Sequence, residues 1–250
     1  MPTIYLSPST QEYNPYITGS GSEEYWMNRL ADAMAPYLNS CGIRYTRNTP
    51  DMTAASSVRQ ANQGWYDLYL ALHSNASGPG SGGKNRGIIA FHYPGSAEGQ
   101  RAAQIFVNNL RQIYPLPDQV VTRTTVSLVE VRRPRFPAVL LEIGYHDNTE
   151  DARWIEANIP EIARDLVLSL TDFFDIPFVW PTDPVEGVVR AGGGTLNLRS
   201  RPERSAAVIA HIPHGAAVTV YGRYGDWYVT RYGDYVGYAA SQYIETAEKG

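Results

Sequence analysis

Near residue 180 the chain changes character. In Phe178-Val179-Trp180-Pro181-Thr182-Asp183-Pro184, two prolines and an aspartate interrupt the patterns on both sides, which marks a linker. Upstream, short runs rich in β-branched and aromatic residues alternate with apolar residues at three- and four-residue steps. Downstream there are only short runs separated by Gly and Pro, such as Ala217-Val218-Thr219-Val220-Tyr221 and Trp227-Tyr228-Val229-Thr230. Two folds therefore share the chain, expected over 1–176 and 188–250 and joined by 177–187.

In the first part, strands are expected at 3–6, 43–46, 68–72, 87–93, 125–129 and 138–142. Helical spacing relates Met27, Leu30, Ala31, Met34 and Leu38, with Ser22 as N-cap and Gly42 just past the end. The same spacing relates Ala102, Phe106, Leu110 and Ile113, and then Ile155, Ile159, Ile162, Leu166, Leu170 and Phe173. This alternation predicts an α/β domain, a mixed or parallel sheet flanked by helices, whose ligands sit beyond the carboxyl ends of the strands. The second part predicts a small β-barrel or sandwich.

Composition removes several partners and devices. The net charge is −4 and no basic run is present, which excludes nucleic acid as an expected partner. No stretch is long and apolar enough to span a membrane. Cys41 is the only cysteine, so an internal disulfide is impossible, and a small buried residue near a helix end is expected there. The N-terminus lacks a basic and long apolar segment, so export by a signal peptide is not expected unless the sequence has been trimmed.

Three titratable residues fall where a core face meets the expected ligand-bearing edge. Glu24 lies in the first turn of the first helix, at helical spacing from Met27, Asn28 and Ala31, and is expected to face the sheet while Glu23 is solvated. His73 follows Leu68-Tyr69-Leu70-Ala71-Leu72, and Glu142 closes Pro137-Ala138-Val139-Leu140-Leu141. An acid at the end of an apolar strand is costly without a partner. Together the three suit a catalytic zinc with a separate general base.

The order of short motifs resembles the zinc-dependent N-acetylmuramoyl-L-alanine amidases of the amidase 3 type over roughly residues 3 to 174. The matching pieces are Glu24 with Asn28, Thr46-Arg47, Arg59 with Ala61-Asn62, and Asp67 leading into Leu72-His73-Ser74-Asn75-Ala76. Gly87 ahead of a strand, Leu128 to Arg132, the run from Pro137 to Tyr145, and Asp147-Asn148 complete it. The resemblance implies Zn2+ held by Glu24 and His73, Glu142 as catalytic acid/base, and cleavage of the amide between muramic acid and L-alanine in bacterial peptidoglycan. Asn75 and Arg132 are the expected substrate contacts, with Arg132 meeting acidic groups of the stem peptide or the sugar.

The family opens with Asp-Pro-Gly-His-Gly-Gly, whose His is a further zinc ligand. Here the stretch is Leu6-Ser7-Pro8-Ser9-Thr10-Gln11-Glu12, and the His position falls on Thr10. Gln11 could supply a side-chain oxygen to the metal, and His146 a ligand or second proton carrier. A non-catalytic wall-binding protein on a degenerate amidase fold is the alternative, and a metal-dependent peptidase is a weaker one.

In the second part, Leu196-Asn197-Leu198-Arg199-Ser200-Arg201-Pro202, Gly225-Asp226-Trp227-Tyr228-Val229 and Gly237-Tyr238-Ala239 resemble the bacterial SH3 fold, an SH3-like barrel. That resemblance implies binding to cell-wall peptides, with Tyr224 and Tyr235 as recognition residues and Trp227 in the core. The whole is expected to act at the bacterial cell wall, reaching it by lysis or as a trimmed secreted enzyme. Oligomeric state is left open.

Overall fold

The structure, a computed structural model, describes residues 1–78 and 80–246. Residues 247–250, the end of the expected second domain, lie outside the described residues. Two compact units are present. One contains residues 3–35 and 45–174, the other residues 1–2, 36–44 and the described residues from Asp175 onward.

The first unit is built on a six-stranded mixed sheet. Its strands are β1 (Thr3–Pro8), β2 (Arg44–Arg47), β3 (Leu68–Asn75), β4 (Ile88–His92), β5 (Val120–Thr124) and β6 (Ala138–Tyr145), in the order β2-β1-β3-β6-β4-β5. β1, β3 and β6 run parallel, whereas β4 is antiparallel to β6 and parallel to β5. The helices are α1 (Glu23–Ser40), α2 (Ala54–Ala61), α3 (Ala97–Leu110), the one-turn α4 (Val129–Arg132) and α5 (Thr149–Phe174). α3 and α5 pack against each other and against the β4–β6 side of the sheet. The expected α/β class is thus observed.

Local chemistry explains the boundaries. Ser22 Oγ accepts the Tyr25 amide at 3.2 Å and starts α1, and Gly42, at φ +72°, turns the chain after it. Thr53 and Ser56 cap α2 reciprocally. Sequence periodicity had not marked this eight-residue helix, because only Ser57, Val58 and Ala61 of it are buried. The strand expected at 125–129 is absent. The strand is Val120–Thr124, and Thr125 Oγ1 accepts the Ser127 amide at 3.2 Å, turning the chain into α4.

The register sets out one sheet face. Tyr5, Tyr69 and Ala138 align across β1, β3 and β6, as do Ser7, Ala71 and Leu140, and His73 pairs with Glu142. Because side chains alternate, all of these share a face. Below His73 and Glu142 that face is an apolar cluster of Tyr5, Tyr69, Ala71, Ala138 and Leu140 with Val58 and Ala61 of α2 and Val131 of α4. The site therefore stands at the carboxyl ends of three parallel strands on top of a closed core. Buried Asp151 pins the end of β6. Its Oδ2 accepts the amides of Gly87 and Tyr145 at 3.0 Å each, and its Oδ1 accepts Tyr114 Oη at 2.6 Å and Arg86 Nε at 2.9 Å.

The second unit carries seven strands: β7 (Val185–Val189), β8 (Thr195–Arg199), β9 (Val208–Pro213), β10 (Ala217–Tyr224), β11 (Trp227–Tyr232), β12 (Tyr235–Ala240) and β13 (Ile244–Thr246). They form one antiparallel sheet in the order β13-β7-β10-β11-β12-β8-β9. Gly225 and Gly233, at φ +55° and +57°, each open a two-residue hairpin turn, a conformation that glycine adopts without steric cost. Val189, Leu198, Ile212, Val220 and Ala239 fill its core.

One buried acid in the first unit works against stability. Asp165 of α5 is 4% exposed, its Oδ1 has no hydrogen-bond partner, and burial pushes its carboxyl up to about 7, with Arg164 opposing and Glu161 and Asp172 reinforcing. A raised acid favours the folded chain below its unfolded value near 3.8, and that advantage is lost as pH rises through about 7. Asp165→Asn is expected to raise the melting temperature by a few degrees at pH 8, the gain fading toward pH 4. Calorimetry at the two pH values checks this, and an equal gain at both would contradict it.

Candidate functional site

The centre of the first unit is an imidazole held by two buried carboxylates. His73 Nδ1 lies 2.8 Å from Glu23 Oε1 and Nε2 lies 2.9 Å from Glu130 Oε2. Glu23 and Glu130 are 1% and 3% exposed. Every partner around the two acids can donate. Ser7 Oγ and Tyr69 Oη donate to Glu130 Oε1 at 2.6 and 2.7 Å, and Asn14 Nδ2 donates to Glu23 Oε2 at 2.7 Å. This is the condition under which ionised carboxylates tolerate burial.

Charge follows the geometry. Burial works against the His73 imidazolium, but the hydrogen bonds and charges of Glu130 and Glu23 outweigh it and hold the ring well above its usual value. Burial raises both carboxyls, yet His73 and the neighbouring donors leave each below the ordinary range. Glu142 differs. Its Oε2 is closed off from solvent without a hydrogen bond, and burial pushes the group up to about 7, with the positive His73 opposing and Glu23 and Glu130 adding.

The structure gathers some of the residues expected here and replaces others. His73 and Glu142 are register partners, and Gln11 reaches the same centre. Glu24 does not. Its carboxylate accepts Asn28 Nδ2 at 3.3 Å on the flank of α1, while Glu23, expected to be solvated, faces His73. Both acids lie within one turn of Met27, so helical spacing alone admits either. The loop before α1 decides, through Asn14, whose carbonyl accepts the Glu23 amide at 2.9 Å and whose side chain holds the carboxylate.

His146 is also placed elsewhere. Its Nδ1 meets the Ser74 carbonyl at 2.8 Å, its ring stacks on Tyr16, and it has no hydrogen bond to Glu142, His73 or Gln11. Between the pairs His73–Glu142 and Asn75–Tyr145 the register shifts, and Gly144, at φ +71°, lies in this irregularity of β6 just before His146. Asn75 uses its side chain to accept the Ala76 amide at 2.8 Å, and Arg132 is exposed at the end of α4. In the second unit Tyr224 and Tyr235 are 47% and 53% exposed beside the two hairpin turns. Neither lines that unit's cavity of about 640 Å³, whereas Trp227 does, with Arg199, Arg204 and Asp226.

Glu130 was not foreseen. An acid flanked by apolar residues in Leu128-Val129-Glu130-Val131, just past the strand expected at 125–129, was the available signal.

A cavity of about 440 Å³ opens beside His73 and Glu130, walled by Thr10, Gln11, Tyr13 and Met52. Catalytic zinc takes three protein donors, normally His, Cys, Asp or Glu, and leaves a position open. Among the described residues no three such side chains converge to hold a metal ion. His73 has a carboxylate on each ring nitrogen, and Gln11 turns its nitrogen, not its oxygen, toward Glu23 and His73. These residues do not fit the zinc centre that the resemblance implies.

Residues 9–171 match the family model of N-acetylmuramoyl-L-alanine amidase, and residues 194–245 match that of the bacterial SH3 domain. The first match spans more than half of the chain, which therefore belongs to the N-acetylmuramoyl-L-alanine amidase family and carries a bacterial SH3 domain after its catalytic unit. No curated protein matches it. Among solved structures it is similar to an N-acetylmuramoyl-L-alanine amidase from Clostridium difficile 630, with TM-score 0.61 and 17% identity over 69% of this chain and 96% of that one. It is also similar to the catalytic domain of CwlV, an amidase from Bacillus (Paenibacillus) polymyxa var. colistinus, with TM-score 0.60 and 16% identity over 71% and 100%. The catalytic domain of the CD27L endolysin, which targets Clostridia difficile, gives 0.56 and 19% over 69% and 98%.

The clamp makes a stability prediction. Replacing Glu130 by Leu strands the donors of Ser7, Tyr69 and His73, and is expected to cost about 3 to 5 kcal/mol in urea unfolding. Glu130→Gln, which keeps one acceptor, should cost less, and a loss below about 1 kcal/mol for Glu130→Leu would contradict the clamp.

Proposed function

We propose that the first unit hydrolyses the amide joining N-acetylmuramic acid to L-alanine of the peptidoglycan stem peptide, with Glu142 as general acid and base. The observation that carries this reading is the Glu142 carboxyl, its Oε2 unpartnered and closed off, in register beside His73 at the mouth of parallel strands. A carboxyl pushed up to about 7 is suited to accept and return a proton near neutral pH. Glu142 takes a proton from water as the oxygen bonds to the lactyl carbonyl carbon. The carbon–nitrogen bond then breaks, and the same proton goes to the leaving alanine nitrogen. One carboxylate serves both steps because the amine requires the proton that water gives up.

Zinc dependence is general in the family, and Glu23 and His73 are the two strong donors this centre could offer a metal. The family's further His position falls on Thr10, beside Gln11, so no step is assigned to a metal here. The SH3 domain keeps the chain on an insoluble wall, which raises the local substrate concentration without adding a contact at the centre. The site of action is accordingly the bacterial cell wall. A second reading, a wall-binding protein without catalysis, is favoured by Thr10 standing where the family pattern has its first His.

Glu142→Gln separates the two. On purified walls this variant is expected to lose roughly 10²- to 10⁴-fold in stem-peptide release, measured by mass spectrometry, while wall binding and circular dichroism stay unchanged. Equal release from variant and wild type would contradict the role of Glu142. Binding without any release from the wild type would support the second reading.

A further inference from the structure

The sheet face that carries Glu142 continues past the catalytic strand as a shelf. Across β6, β4 and β5 the register aligns Glu142 with Ile89 and Val121, and two residues along it aligns Leu140 with Phe91 and Arg123. Partners in register point the same way, so all six side chains share one face. Ile88, Ala90 and Val120, which point the other way, are fully buried, and α3 packs against β4 and β5. On the Glu142 face Phe91 and Val121 are only half-buried, and Arg123 is exposed. An apolar floor with a cation at its far end thus adjoins the proposed acid and base.

Arg123 is uncommitted. Among the described residues it has no ion pair and no hydrogen bond. Its charge nevertheless reaches Tyr145. Burial raises the Tyr145 phenol above its usual value, Arg123 opposes that rise as the largest of the charges acting on it, and Glu142, Asp151 and Asp147 reinforce it. Tyr145 owes its place to the register shift in β6. Three steps separate it from Glu142, against two between His73 and Asn75 on β3, so the extra residue returns its side chain to the Glu142 face. In the register Tyr145 stands on one side of Glu142 and Arg123 on the other. A charge felt that strongly at the phenol lies over the shelf between them.

We propose that Arg123 is a substrate-binding residue that takes a free carboxylate of the stem peptide, on the residue that follows L-alanine. The inference rests on the amidase reading above. On the sugar side of the scissile bond the lactyl carboxyl is itself the amide, so the free carboxylates belong to the peptide. The span also fits. Two strand spacings and two residues separate Glu142 from Arg123, roughly 12 Å between their backbones. With the leaving nitrogen at Glu142, the alanine and the next residue extend about 7 Å, and the long arginine stem covers the rest. Phe91 and Val121 give the intervening peptide an apolar floor. A guanidinium meets a carboxylate through two parallel N–H···O bonds, whereas a carboxamide offers one acceptor and no charge.

The test uses the full chain, in buffer supplied with zinc, on two soluble muramoyl tripeptides. They differ only in the residue after L-alanine, which carries either a free carboxylate or its carboxamide. Wild type is expected to prefer the carboxylate by roughly 10-fold in kcat/KM, the lower end for a charged hydrogen bond because Arg123 is open to solvent. Arg123→Ala should bring the two substrates to near equality, mainly through a raised KM for the carboxylate, and Arg123→Lys should keep part of the preference. Circular dichroism of both variants is expected to match wild type. A full preference surviving in Arg123→Ala, or equal wild-type hydrolysis of the two substrates, would overturn the inference and leave the amidase reading intact. Wild-type hydrolysis of neither would overturn both.

Discussion

Burying two ionised carboxylates in one small region is tolerable only when their lone pairs are filled, and the way this chain fills them determines its functional centre. Glu23 and Glu130 come from stretches 107 residues apart by numbering, and the ring of His73 joins them, one nitrogen to each. An isolated carboxylate in such a place would cost several kcal/mol or would take up a proton. The clamp removes that cost and fixes the ring in one orientation. Ser7, Tyr69 and Asn14 complete it, so the centre is braced from β1, β3, α4 and the loop before α1 together.

This clamp gives Glu142 its different role. All three acids lie near one imidazole, yet only Glu142 lacks a donor for Oε2, and only Glu142 is driven upward in pKa. A group of acids whose environments push their proton affinities apart is a recurring arrangement for acid–base chemistry, in which the structural acids stay charged and the working one stays poised. In the proposed reaction, stability and reactivity are divided among neighbouring carboxylates by their hydrogen bonds.

Much of this was legible in the chain itself. The alternation of β-branched runs with helical spacing gave the α/β unit, and Gly225 and Gly233 marked hairpins of the all-β unit. His73 and Glu142 were recognisable because each ends an apolar strand, where parallel-sheet ligands sit. Glu23 and Glu130 were not, for two physical reasons. Helical spacing locates a residue to within about one position, and Glu23 and Glu24 both fit the stripe through Met27, so Asn14 had to settle the choice. Glu130 directly follows the run 125–129 that β propensity assigns to a strand, whereas the Thr125–Ser127 turn leads instead into α4, where Glu130 meets His73. His146, just past the end of β6, meets Ser74 beyond the register shift in which Gly144 lies, an irregularity that residue type does not reveal.

X-ray diffraction at the zinc absorption edge, from crystals grown with excess zinc, tests the clamp most directly. The expected map shows His73 between the carboxylates of Glu23 and Glu130, with no anomalous peak at the ~2.0 to 2.1 Å bonding distance of its Nδ1. A peak bonded to His73 Nδ1 and Glu23, with the ring withdrawn from the carboxylate, would contradict the account.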